Sequence, residues 1–161
     1  MTEENVDQSG AEFGEEALVE GITIDRVFDA PPAAVFAAWT QAESFSRWFG
    51  GPDIEVPMDR LDYVAQPGRE WRAVMVLPDG NTMNWAGNFE TVEPDASLVL
   101  TITDRPDEPT RAKITVDLSP EGEGTAMYFA QDTPGFTPEQ QDSLVGGWNH
   151  FFDEMAKVAG A

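Results

Sequence analysis

Thr137 to Ala159 reads TPEQQDSLVGGWNHFFDEMAKVA, and this stretch decides the fold. Thr137-Pro138-Glu139-Gln140 combines a capping box with proline at the first helical position, where the missing N–H has no partner to lose. From there Leu144, Trp148, Phe151, Phe152, Met155 and Ala159 recur at three- and four-residue steps, which places them on one apolar stripe of a long helix. A helix with one greasy face needs a surface to cover. The sequence upstream supplies it.

Turn residues punctuate the middle of the chain at Gln66-Pro67-Gly68, Pro78-Asp79-Gly80-Asn81, Glu93-Pro94-Asp95, Arg105 to Pro109 and Glu121-Gly122-Glu123-Gly124. Between them strands are expected over 54–64, 69–77, 82–92, 97–103, 111–118 and 125–131, and another over 21–29. Such short connections make consecutive strands antiparallel. Alternation puts Trp71, Ala73 and Met75 on one face, with Trp85, Gly87 and Phe89, then Leu98, Leu100 and Ile102, then Ile114, Val116 and Leu118. The opposite face carries Glu70, Arg72, Asn84, Asn88, Glu90, Thr101, Arg111, Lys113 and Asp117 and meets water. The one-sided sheet is therefore covered by the C-terminal helix.

Strand 21–29 ends at Ala30-Pro31-Pro32, which starts a short helix carrying Val35, Phe36 and Trp39. Thr40-Gln41-Ala42-Glu43 reads as a capping box for a second short helix, with Phe45, Trp48 and Phe49, stopped by Gly50-Gly51. The fold class is thus α+β: a curved antiparallel sheet of six or seven strands wrapped around a long C-terminal helix, with two short helices after the first strand. Residues 1–19, acidic without balancing base, are expected to form a disordered tail, and 20–161 the folded domain.

Composition narrows the function classes. The 161 residues include 30 acids, 9 Lys and Arg and no cysteine, for a formal net charge of -21. Such a charge repels phosphate backbones and anionic lipid, so neither nucleic acid nor membrane is an expected partner. Without cysteine there is no disulfide or thiolate chemistry, and with no signal-like N-terminus the expected location is cytoplasmic. No cofactor, metal site or catalytic residue is indicated. His150, the single histidine, falls beside Asp153, Glu154 and Lys157 and reads as solvated.

The residues 26–32 (RVFDAPP), 35–40 (VFAAWT), 46–51 (SRWFGG), 67–72 (PGREWR), 78–80 (PDG), 87–94 (GNFETVEP) and 146–148 (GGW) together resemble the START-like superfamily. This is also called SRPBCC or helix-grip, and the similarity is greatest to the activator of heat-shock protein ATPase homologue family. The resemblance implies a helix-grip fold with an internal hydrophobic cavity. It also implies a small hydrophobic ligand, a lipid among the candidates, with a chaperone and a role in stress response as an alternative. A polyketide cyclase-like enzyme is the second alternative.

The residues themselves leave two readings open for the aromatic side chains predicted to face inward: they fill the core, or they line a pocket that the helix cannot fill. The candidate ligand-binding residues are Trp39, Phe45, Trp48, Trp71, Met75, Trp85, Phe89, Phe129, Trp148, Phe152 and Met155. Phe45 and Trp48 form a candidate mouth. Arg26, Asp104, Tyr128 and Gln131 are candidate polar anchors, and Arg26, in phase with Ile24 and Phe28, is also read as one half of a structural ion pair.

Overall fold

The computed structural model describes residues 21–160. The acidic stretch 1–19 expected to form a tail lies outside the described residues. Strand β1 (Gly21–Phe28) leads into α1 (Pro32–Thr40) and α2 (Ala42–Trp48), followed by a 3₁₀ turn at Met58–Arg60. Then come β2 (Glu70–Val76), β3 (Thr82–Glu93), β4 (Ser97–Ile102), β5 (Ala112–Glu121), β6 (Gly124–Asp132) and α3 (Pro138–Val158). The strands form one antiparallel sheet of six in the order β1-β6-β5-β4-β3-β2. β1 thus closes onto β6, and the sheet holds α3 on its inner face. This is the α+β helix-grip architecture expected.

The local signals explain most element boundaries. Pro32 opens α1 at its first turn, and α3 carries the full capping box: Gln140 N donates to Thr137 Oγ1 at 3.1 Å, while Thr137 N donates to Gln140 Oε1 at 2.9 Å. These two bonds satisfy donors that a helix start otherwise leaves open. At Thr40 the capping-box expectation is wrong. Gln41 is the N-cap of α2 and makes no side-chain cap, because the Thr40 hydroxyl bonds back to Phe36 O at 2.8 Å as part of the last turn of α1.

The expected strand 54–64 is also corrected. Its backbone pairs with β2 only through the isolated bridges Glu55↔Val76 and Asp62↔Arg72. Seven steps on one side (62 − 55) face four on the other (76 − 72), so the excess chain loops out through Pro57 and the 3₁₀ turn. Proline cannot donate to a ladder, which breaks the pairing there. The segment still packs inward, with Val56 and Tyr63 buried.

Inward alternation holds on β2, β4 and β5, where Trp71, Ala73, Met75, Leu98, Leu100, Ile102, Ile114, Val116 and Leu118 are all buried. Thr101, expected to meet water, is buried instead because its hydroxyl accepts from Asn88 N at 2.8 Å across β3. Gly87 on β3 has a steric cause: a Cβ there would overlap Thr101 O and Trp71 Nε1, which are themselves hydrogen-bonded at 3.1 Å. That bond occupies the space a side chain at Gly87 would have filled.

Candidate functional site

The candidate aromatic residues divide into two groups. Trp39, Phe45, Trp48, Trp71, Phe89, Phe129 and Phe152 are almost fully buried, as are Met75 and Met155. Trp39 lies 5.0 Å from Trp48, 6.2 Å from Phe129, 6.3 Å from Trp148 and 6.1 Å from Phe152, measured between ring centroids. Phe45 stacks on Tyr63 at 4.0 Å and on Phe49 at 4.5 Å. Rings at these separations are in direct contact, so this part of the interior is filled by the side chains themselves. Phe45 and Trp48, expected at a mouth, sit inside that packing.

Its polar atoms are satisfied internally. Trp39 Nε1 faces Met127 Sδ at 3.4 Å, Trp48 Nε1 donates to Ala38 O at 2.7 Å, and the Tyr63 hydroxyl donates to Trp39 O at 2.6 Å. Burial disfavours the phenolate and pushes the Tyr63 pKa up well above its ordinary value.

Open space begins where this packing stops. A cleft of about 690 Å³ lies between the first half of α3, the ends of β4 and β6, and the loop 103–111. Its floor is an arc of rings: Trp85 meets Phe49 at 5.6 Å, Phe49 meets Phe151 at 5.8 Å, and Phe151 meets Trp148 at 5.4 Å. Ile102, Leu144 and Phe136 extend the apolar wall, and Asp104, Arg105, Glu108, Arg111, Gln131 and Asp132 supply its polar side. Trp148 is the boundary stone. It stacks on Phe152 at 5.6 Å on one side and lines the cleft on the other, with its Nε1 donating to Gln131 Oε1 at 2.8 Å.

The structure therefore brings Trp85, Trp148, Asp104 and Gln131 together on the cleft and places the other candidate wall residues in the packed interior. Tyr128 is 40% exposed, on the face of β6 opposite buried Met127 and Phe129, away from the cleft. Arg26 pairs with Asp153 of α3 at 2.6 Å and donates to Asn149 O at 3.3 Å, the structural ion pair that its phase suggested. His150 is exposed. Phe49, Phe151, Leu144 and Phe136 were not among the site candidates; Phe151 and Leu144 were legible on the α3 stripe, and Phe49 beside the Gly50-Gly51 stop.

Gly147 lines the cleft in mid-helix, where glycine costs about 1 kcal/mol relative to alanine. A Cβ there would meet nothing within 4 Å. No close neighbour demands glycine, so its effect is to leave the cleft wider by a side chain.

The charged rim is largely self-paired. Arg111 donates to Asn88 Oδ1 at 2.8 Å and to Glu70 Oε2 at 3.2 Å, and Arg105 lies 3.6 Å from Glu108. Hydrogen bonding from Arg72, reinforced by Arg111, lowers the Glu70 pKa despite some opposing desolvation. Among the described residues no group of acids or histidine is arranged to hold a metal ion, and no helix is long and apolar enough to cross a membrane.

The family model described as Activator of Hsp90 ATPase homolog 1-like protein matches residues 29–160. The chain belongs to that family. Solved structures agree in fold. A Chromobacterium violaceum protein is similar at TM-score 0.77 and 18% identity, over 88% of this chain and 98% of its own. The AHSA1 protein of Silicibacter pomeroyi is similar at TM-score 0.74 and 22% identity, over 85% and 95%. An AHSA1-like protein from Aeromonas hydrophila gives 0.71 and 22%, over 86% and 90%. Among curated proteins nothing matches the chain. Membership in the family covers the whole sheet after β1 together with all three helices, and so includes every wall of the cleft.

Proposed function

We propose that this protein binds a small, mainly apolar molecule in the cleft under the first half of α3. The observation that carries this reading is a contrast: rings in direct contact around Trp39 and Phe45, and about 690 Å³ of ring-floored space here. A guest burying one ring system of ~150–250 Å² would gain about 4–6 kcal/mol from desolvation before association costs. The arc Trp85-Phe49-Phe151-Trp148 offers edges and faces for such a ring.

Titration with fatty acids, sterols and aromatic polyketides, followed by tryptophan emission, tests the proposal when run beside Gly147→Leu. The substitution projects into the cleft while Trp39 and Phe152 stay untouched. At least one class should bind the parent chain and lose most of its affinity to Gly147→Leu. Silence from every class overturns the proposal.

A second reading, docking on a chaperone, is supported by the family's description and by the net charge of -21. It requires capture of a chaperone at low salt that weakens steeply as salt rises. Absence of capture at low salt removes it.

A further inference from the structure

Among the amide, hydroxyl and charged side chains of the cleft wall, only Gln131 is buried: it is 8% exposed, whereas Asp104, Arg105, Glu108, Thr110 and Asp132 are open to solvent. It continues the inward alternation of Met127 and Phe129 along β6, and its strand partners Ile22 and Ile114 are buried as well. A primary amide in such a place needs partners for both of its ends.

The carbonyl end has one. Trp148 Nε1 donates to Gln131 Oε1 at 2.8 Å, and because an indole N–H cannot accept, this bond also fixes which end of the amide is oxygen. That leaves Nε2, two N–H donors with no acceptor among the described residues. These donors are not sealed in the interior. The one fully buried side-chain polar atom without a partner among the described residues is Trp85 Nε1, so Gln131 Nε2 keeps accessible surface. Gln131 borders the cleft, and neither of the hollows beside Glu139 and Tyr128.

Water can satisfy such donors in an open cleft. A guest displaces that water, and one made of hydrocarbon alone would leave the N–H groups unpaired. The charges of the cleft then select among acceptors. Arg111 is committed to Asn88 and Glu70, and Arg105 has Glu108 beside it, while Asp104 and Asp132 line the same space. An anionic head group would find neither guanidinium free of a partner and would meet carboxylates, in a chain of net charge -21. A neutral acceptor meets none of these costs.

Resting on the binding reading above, we infer that Gln131, held in one orientation by Trp148, is the specificity-determining residue of the cleft and selects an uncharged apolar ligand bearing a carbonyl-type oxygen, which accepts from Gln131 Nε2. The rings of the floor take the body of the guest, and the amide reads its oxygen.

The probes are 2-acetylnaphthalene, its hydrocarbon isostere 2-isopropenylnaphthalene, and the anion 2-naphthoate. Each is titrated into the full chain and into Gln131→Met, with affinities from tryptophan emission and side-chain amide ¹H–¹⁵N correlation spectra in which the Gln131 pair is assigned by its loss from the variant. From parent to Gln131→Met the acetyl-to-isopropenyl affinity ratio should fall about tenfold, the equivalent of ~1.4 kcal/mol. Trp148 loses its acceptor whichever guest is bound, so that cost cancels from the ratio. In the parent chain the Gln131 amide protons should move downfield with the ketone and much less with the hydrocarbon, and this readout decides by itself should the variant fail to fold. An unchanged ratio, or a Gln131 amide unmoved by bound ketone, overturns the inference while leaving binding intact. Tighter binding of 2-naphthoate than of 2-acetylnaphthalene overturns the uncharged character. Failure of all three to bind overturns this inference together with the binding reading.

Discussion

The two halves of α3 do different work, although one helix carries both. From Trp148 onward its inward residues Trp148, Phe152 and Met155 are buried against α1, α2 and β6, while Pro138 to Gly147 contributes no buried side chain. The second half completes a packed interior; the first stands over open space. The Gly146-Gly147 pair marks the change. A helix gripped by a sheet need not be gripped along its whole length, and here the ungripped part borders open space.

The sharpest way to break this comparison is to damage the gripped half. Trp39→Ala removes a ring in contact with Trp48, Phe129, Trp148 and Phe152. It should destabilise the fold by about 3–5 kcal/mol in urea unfolding. A cost under ~1 kcal/mol would mean that the interior is not packed as described.

A matched pair then separates the regions by hydrogen bonding. Trp71→Phe removes the donor that Thr101 O accepts from at 3.1 Å and should cost about 1–3 kcal/mol. Trp85→Phe removes an indole whose Nε1 has no partner and should cost less than ~1 kcal/mol by the same measurement. Equal costs would erase the distinction between the filled and open regions.

Gly147→Ala sharpens the contrast within α3 itself. Its Cβ meets nothing within 4 Å, so the gain in helix propensity should stabilise the chain by up to ~1 kcal/mol in thermal unfolding. Ligand affinity should fall at the same time, because the methyl narrows the cleft. Destabilisation would show that this position is closely packed after all.

The smallest effect belongs to the outer face of the sheet. The Glu70 pKa is lowered by hydrogen bonds from Arg72 and Arg111, so its contribution to stability is present above the unfolded-state pKa and is lost as pH falls through the folded-state value. Glu70→Gln should therefore lower Tm slightly at about pH 7, and the gap to the parent chain should close in acid. Because Glu70 is exposed, the gap should also shrink in high salt. A gap that widens on acidification would have the wrong sign.

The legibility of these regions differed for physical reasons. Periodicity exposed the gripped half of α3 and the inward faces of β2, β4 and β5, because a buried stripe imposes its spacing on the sequence. The missing seventh strand failed on a single residue. Alternation around Pro57 looked like a strand, and only the unequal spacing of its two bridges to β2 reveals the excess chain. The cleft was half legible. Trp85 and Trp148 could be picked out as inward rings, but nothing in spacing distinguishes a ring that touches five others from one that faces a gap. Tyr128 shows the converse: a polar aromatic beside inward Phe129 has the other face of the strand by alternation alone, and that signal was available.

The central claim, that the space for a guest lies under the first half of α3 and not among the rings around Trp39, is tested most directly by an NMR map of the chain titrated with naphthalene. The account predicts shifts concentrated at Trp85, Phe151, Leu144 and Ile102, with the indole resonances of Trp39 and Trp48 unmoved. Saturable shifts at Trp39 and Trp48 that precede those at Trp85 would contradict it.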